Sequence, residues 1–323
     1  MNKEISRFLI SSSVVLSLLL LLDLGVGFVG SKSLDYLPDF TGKESTYIVK
    51  NNYRIMRLDD DIVILGPSRA SHHYNTTLLL DSINTYLDTY YSGYNAGMDA
   101  QFINSSCLVI ESLLDRYSPE MIILDVIDFE LMHEKDKEMD LDYMCNYAPF
   151  YGKVNVVKKY FDDLGWKESL LMKSNLYRFN DKVLRISRSI LKNDTQPNDG
   201  FEPLFGKSVA KSNDDYIVSP MIDGYSVNNL RRVIQLCKEK DVRLVLVASP
   251  RFRPKLNNEL IHAISIEYNI PYIDNYNSDY FNKHPELFND EPHLNNDGAT
   301  IYNQMLFEDM KPFLGEWFHD TIW

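Results

Sequence analysis

Apolar positions fall into three patterns along this chain. Near the N-terminus, Phe8 to Leu22 is a predominantly apolar run, which resumes after Asp23 as Leu24-Gly-Val-Gly-Phe-Val-Gly30. Taken whole, that stretch is long enough to cross a hydrocarbon core of ~30 Å. Further along come short, continuously apolar runs: Ile62-Val-Ile-Leu-Gly66, a weaker one around Thr89-Tyr-Tyr91, Met121-Ile-Ile-Leu-Asp125, Arg243-Leu-Val-Leu-Val-Ala248 and Ile270-Pro-Tyr-Ile273. Runs of this kind predict strands buried on both faces. Between them lie stretches with helical spacing, Asn104 to Tyr117 with Leu108, Val109, Leu113 and Leu114, and Val227 to Lys240 with Leu230, Val233, Ile234 and Cys237. Strand and helix signals that alternate predict an α/β fold, a three-layer α/β/α sandwich around a central parallel sheet.

The same pattern divides the chain. Residues 1–30 read as a cytoplasmic tip and transmembrane anchor, 31–59 as a polar, aromatic stalk without a sustained period, and 60–323 as one catalytic domain. An insertion at about 131–218 interrupts the strand–helix rhythm, with helical patterns at Val154 to Leu164 and Leu176 to Leu191. Its loop from Asn193 to Asp215, with Pro197, Gly200, Pro203 and Gly206, is a candidate lid or substrate wall. Lys3 and Arg7 precede the apolar run, so the basic flank should stay in the cytoplasm and everything after Gly30 lie outside, in the periplasm or at the cell surface. A cleaved signal peptide, ending at the small residues of Gly27-Phe-Val-Gly30, is the alternative. Asp23 is the awkward residue, since a carboxylate in hydrocarbon costs ~3 kcal/mol. No cysteine directly follows the run, which excludes a lipoprotein anchor.

Composition narrows the function classes. With 323 residues and 45% hydrophobic content there is ample chain for one large core beyond the leader. A formal net charge of -13 argues against tracking phosphates on nucleic acid or on anionic lipid. Cys107, Cys145 and Cys237 are far apart, form no Cys-x-x-Cys pair, and suggest neither a metal site nor a disulfide framework. No metal or organic cofactor is implied.

Two motifs carry candidate chemistry. Gly66-Pro-Ser-Arg-Ala70 follows the first strand and precedes a helical segment, placing Ser68 at the carboxyl edge of the sheet, where open α/β sheets bind ligands. Near the other end, Asn289-Asp-Glu-Pro-His-Leu-Asn295 puts Asp290 three residues before His293. At that spacing the carboxylate can hold one imidazole nitrogen while the other faces a serine. Each motif alone also has an ordinary structural reading, as a capping serine and as an Asx-turn beside a surface histidine.

Together, and in this order, the motifs resemble the SGNH (GDSL-like) hydrolase superfamily, whose sandwich is flavodoxin-like. Gly66-Pro-Ser68 resembles its first block, with Ser68 as nucleophile, and Asp290-Glu-Pro-His293 its last, with Asp290 as orienter and His293 as base. Tyr94-Asn-Ala-Gly97 resembles the block whose glycine amide, here that of Gly97, joins the Ser68 amide in holding the oxyanion. The resemblance covers roughly residues 60–312 and departs in one place. The family's Gly-x-Asn-Asp block is absent, and Leu124-Asp-Val-Ile-Asp-Phe-Glu130 offers acids, which when ionised cannot donate to an oxyanion. Divergent members tied to acylation of cell-surface polysaccharide and teichoic acid are similar in layout. The resemblance therefore implies a serine esterase or O-acyltransferase acting on an ester of a cell-surface carbohydrate, or on a small-molecule ester. A membrane protein that supplies the acyl donor is a candidate partner. Arg69, His73, Asn95 and Asp125 are candidate pocket residues, with Arg69 binding an anionic substrate or, as its position favours, pairing with a structural acid. His72 could line the pocket but reads rather as a surface group or one that supports the site from behind, and Ser249-Pro-Arg251 with some of the 21 tyrosines is a candidate sugar wall. A non-catalytic glycan-binding or assembly protein on the same fold is the rival from another class.

Overall fold

The apolar runs become the strands of one sheet, and the helical patterns become its flanking layers. The computed structural model describes residues 3–37, 47–99, 101–132, 143–192, 199–207, 221–254 and 256–319. In chain order the elements are α1 (Lys3–Asp35), α2 (Tyr47–Met56), β1 (Ile62–Leu65), α3 (Ser68–His73), α4 (Thr76–Leu87), β2 (Gly93–Asn95), α5 (Ile103–Leu114) and β3 (Met121–Asp125). There follow α6 (Asn155–Asp163), α7 (Trp166–Leu171), α8 (Asn175–Phe179), α9 (Lys182–Lys192), α10 (Gly224–Glu239), β4 (Arg243–Ala248), α11 (Glu259–Tyr268), β5 (Tyr272–Asp274), α12 (Asp279–Lys283) and α13 (Asn296–His319). They divide into two units, one of Met1–Arg57 with Met144–Pro197, the other of Leu58–Tyr143 with Asn198–Trp323.

The second unit is the α/β sandwich. Its five strands run in the order β2-β1-β3-β4-β5, all parallel. Ile62, Ile64, Met121, Ile123, Val245 and Val247 point to one face, into a core shared with α4 and α13 through Leu79, Ile83, Leu306 and Met310. Alternate strand residues such as Val63, Ile122 and Leu246 are equally buried and face the opposite way, the side on which α5 and α10 pack together. The chain leaves β1 for β2 on one side and returns to β3 on the other. The carboxyl ends of β1 and β3 therefore flank a topological switch point, where such sheets open a crevice.

One strand lies later than the tyrosine run suggested. Asp88 closes α4 in a left-handed conformation (φ 52°), and the Asn84 side chain then bonds both the amide and the carbonyl of Tyr91. Residues 89–91 are consumed by that turn, and β2 begins at Gly93. Cys107 and Cys237 are buried, Cys145 is half-buried, and none of the three forms a disulfide.

The first unit is helical. The most apolar 18-residue window of α1 has a mean hydropathy of 2.2 and is not buried in protein. Length and composition suit a membrane crossing, as they would in an anchor or a signal sequence. From Asp23 onward one stripe of α1 is docked, while Leu24, Phe28 and Val29 stay exposed. Gly27, Gly30 and Leu34 are buried at i+4, i+7 and i+11 from Asp23, where Gly27 lies against Asn175 and Gly30 against the Phe179 ring. A Cβ on Gly30 would come within 2.6 Å of that ring. Asp23 itself accepts hydrogen bonds from Ser174 Oγ (2.7 Å), Asn175 Nδ2 (3.0 Å) and the Leu176 amide (2.9 Å), which satisfies the first turn of α8. The residues expected as a stalk hold the end of α1 and also α2, which buries Ile48, Val49, Asn52 and Ile55. The expected helix Leu176 to Leu191 is two helices, broken where Asn180 has φ 34°.

Candidate active site

The site begins with the turn after β1. Gly66 has φ 145°, and a Cβ there would meet the Asp125 carbonyl at 2.8 Å, so this position needs glycine. Pro67 caps α3 in an extended conformation, and Ser68 is the first helical residue. Its Oγ lies 2.7 Å from His293 Nε2. On the far side of the ring, His293 Nδ1 lies 2.8 Å from Asp290 Oδ1, which also accepts the His293 backbone amide at 3.0 Å. An ionised carboxylate only accepts, so Nδ1 carries the imidazole hydrogen and the Nε2 lone pair faces the serine hydroxyl. Partial burial disfavours the charge on Asp290, yet the bonds from His293 and Asn289 outweigh it and hold this carboxyl below its usual range.

A tight loop presents these two side chains. The Asn289 amide donates to the His293 carbonyl at 2.8 Å, and Phe288 and Leu294 form an antiparallel bridge. Asn295 then caps α13 by accepting from the Gly298 amide, while its Nδ2 donates to the carbonyls of Glu286 and Gly206.

The candidate pocket residues lie in the wall behind the serine, and none of the four is open. His73 is fully buried; its Nε2 accepts the Leu294 amide at 2.9 Å and its Nδ1 faces Ser249 Oγ at 2.9 Å. Burial, then the neighbouring His293, Arg69 and His72, keep this imidazole neutral far below its ordinary value. Asn95 donates to the carbonyls of Ala70 and Tyr74, tying β2 to α3. Asp125 accepts from Arg69 (2.7 Å), Tyr74 OH (2.8 Å) and the Ser249 amide (3.3 Å). Arg69 is thus turned inward, sandwiched between Asp125 and Glu130. Ser249 is also fully buried, which removes it from any sugar wall.

The Gly97 amide is engaged as well. It donates to Asn95 Oδ1 at 3.0 Å, so its hydrogen does not point at an oxyanion as expected. A Cβ on Gly97 would sit 2.6 Å from the Ser71 nitrogen, so what glycine permits here is the close approach of the β2 loop to α3.

Three arrangements near the serine go beyond what the sequence patterns showed: the partners of His72, the place of Glu130, and the course of residues 199–207. His72 is nearly buried, with its ring 5.3 Å from that of His293; its Nδ1 donates to the Glu202 carbonyl and its Nε2 lies 3.3 Å from Asp99. Burial opposes a charge on His72, but Asp99 and the Glu202 carbonyl raise its pKa. Glu130, the second carboxylate on Arg69, is pushed by burial up to about 8, against the pull of Arg69. Residues 199–207 form the third arrangement. Asp199 binds Thr76 and Thr77, its carbonyl accepts the Asn95 amide, and the Glu202 amide donates to the Ser71 carbonyl. This part of the expected lid therefore straps α3 to the sheet edge, while 193–198 and 208–215 lie outside the described residues. Among the described residues no cluster of His, Cys, Asp and Glu could hold a metal ion.

No family model matches the chain, and no curated protein matches it. Among solved structures it is similar to a proposed acylhydrolase of Bacteroides fragilis, at 10% identity over 80% of this chain and 89% of that one, with a TM-score of 0.35. It is also similar to a gut microbial diltiazem-metabolizing enzyme, at 11% identity over 78% of this chain and 47% of that one, with a TM-score of 0.34. In that second case the chain spans about half the neighbour's length.

Proposed function

We propose that this chain is a serine esterase or O-acyltransferase of the SGNH type, held at a membrane by α1 with the sandwich outside the cytoplasm, and acting on an ester, an acetyl ester in the first instance, of a cell-surface carbohydrate. The observation that carries it is the continuous relay from Ser68 Oγ through both nitrogens of His293 to Asp290, at 2.7 and 2.8 Å. His293 Nε2 takes the serine proton as Oγ attacks the ester carbonyl, and returns it to the departing alcohol. The acyl group left on Ser68 then passes to water or to a carbohydrate hydroxyl, deprotonated by the same nitrogen. The Ser68 amide stands at the start of α3 to receive the oxyanion. Gly97 could add a second donor only by exchanging its bond to Asn95. Docking of Gly27 and Gly30 within the helical unit favours an anchor over a cleaved leader, since cleavage there would remove part of that unit's packing.

The engaged Gly97 amide and the missing asparagine block favour a second reading, a glycan-binding or assembly protein that keeps the triad without using it. Fluorophosphonate labelling and acetyl-ester turnover of the full chain in detergent micelles separate the two. The parent is expected to label at Ser68, Ser68→Ala not at all, and His293→Ala more slowly by a factor on the order of 10³ or more. A folded parent that neither labels nor turns over ester, yet binds glycan as well as Ser68→Ala does, would transfer the case to the second reading.

A further inference from the structure

We propose that α9 lies in the headgroup–acyl boundary of the bilayer that α1 enters, so that the chain grips its membrane with an inserted helix and a surface helix together; this rests on the anchor reading of α1.

The level at which α1 leaves the hydrocarbon is set by its own partners. Apart from Ser6 and Ser12, the side chains from Ile5 to Leu22 are exposed, Phe8 by 70% and Leu21 by 65%. At 1.5 Å per residue that segment measures roughly 27 Å, close to the hydrocarbon thickness. The next residue, Asp23, is where protein contacts begin, because its carboxylate is taken up by Ser174, Asn175 and Leu176 at the start of α8. An acid satisfied in this way belongs at the membrane surface, and it brings α8 and α9 to that level, since both pack on α1.

The surface of α9 suits that level. Ile186 is buried on its inner face, with Val183 and Ile190 half-buried beside it. Leu184 and Leu191, one heptad apart on another edge, are 63% and 83% exposed. Two leucines so open on one edge form an apolar strip that acyl chains would cover. Arg185 and Arg188 are exposed next to that edge, and the helix sequence Lys182-Val-Leu-Arg-Ile-Ser-Arg-Ser-Ile-Leu-Lys192 contains no acid. Arg185 shares its charge with Asp181, which precedes the helix. An aliphatic edge flanked by cations is what an interfacial helix offers, leucines to acyl chains and guanidinium groups to lipid phosphates. The chain's net charge of -13 argues against anionic lipid only as an average, and α9 has the opposite sign.

The test reconstitutes the full chain in phosphatidylcholine–phosphatidylglycerol vesicles whose acyl chains carry bromine, which quenches nearby indole. Tryptophan is introduced singly by Leu184→Trp, Leu191→Trp, Leu16→Trp within the apolar segment, and Ile266→Trp, which is 68% exposed in the sandwich unit. The parent, with its own three tryptophans, supplies the background. Quenching at 184 and 191 is expected to exceed that at 266 by roughly two-fold or more and to fall below that at 16. Quenching at 184 and 191 no greater than at 266, with 16 strongly quenched, overturns the proposal and leaves the anchor standing. So does crosslinking of position 184 to a second copy of the chain without lipid quenching. An unquenched 16 overturns the anchor reading itself, and α9's placement with it.

Discussion

At the scale of single residues, the pivot behind the proposed triad is His73, which joins three separate segments. It sits on α3 with Ser68, binds Ser249 at the end of β4, and receives the Leu294 amide next to His293. An amide can only donate, so His73 Nε2 must stay unprotonated for the His293 loop to keep its place. His73→Ala leaves a buried amide and a buried hydroxyl unpaired, a loss of about 1–3 kcal/mol for each group. We expect fluorophosphonate labelling to slow by roughly 10–100-fold with the Ser68 environment otherwise intact; unchanged labelling in the variant would remove His73 from the site's support. The acid limb follows from the sign of the shift. Because the folded state holds His73 neutral far below its ordinary value, stability falls as pH drops beneath about 6.5, where the unfolded chain takes up a proton that the native one refuses. His72, shifted the other way, stabilises at low pH and loses that contribution as pH rises through its raised value. Glu130 also works on the alkaline side. With its folded pKa near 8, the native state retains a proton that the unfolded chain has lost above its ordinary value, so stability declines with rising pH by at most about 1.4 kcal/mol per unit up to about 8. Glu130→Gln should flatten that decline in urea melts between those limits, and a slope equal to the parent's would show that Glu130 is ionised throughout. Ser68, Asp290 and His293 were legible because their chemistry is compressed into two short motifs. That Arg69 pairs with an acid was legible too, but not which acids, since Asp125 and Glu130 lie 56 and 61 positions away.

At the scale of elements, Asp23 separates two accounts of α1. If the helix merely crossed lipid, Asp23→Leu would lengthen the apolar run and strengthen insertion. In the structure the carboxylate is the acceptor for the first turn of α8, and a leucine would leave those donors unsatisfied. Asp23→Leu is therefore expected to destabilise the helical unit by about 2 kcal/mol, read as faster proteolysis within 144–192 in micelles; slower proteolysis would favour the simple crossing. Strands β1, β3 and β4 were plain in the sequence because burial on both faces leaves an unbroken apolar run. Helix α2 was hidden for another reason: it is only ten residues long, and its buried face carries Asn51, Asn52 and Arg54 beside the isoleucines, so it does not read as an apolar stripe.

At the scale of the whole molecule, the helical unit is assembled from two distant stretches of chain. No periodic pattern announces that assembly, because the surface that receives α8 is a stripe of small residues, Gly27 and Gly30, inside a run that reads as membrane. The consequence falls on truncation. A fragment beginning at Lys32 resembles a clean removal of the leader, but it discards Asp23, Gly27 and Gly30 and uncovers Phe179. A fragment beginning at Asp23 removes the exposed apolar segment and keeps every one of those contacts. The shorter fragment is therefore expected to lose helical circular dichroism and protease resistance in 144–192, while the longer retains both. Ser68 labelling should survive in each, because Ser68, His293, Asp290 and His73 all belong to the sandwich unit. Equal protease resistance of the two fragments would mean that the glycine stripe contributes little, and would return the leader to the status of a removable anchor. Loss of labelling in the Lys32 fragment alone would tie the triad's function to the helical unit.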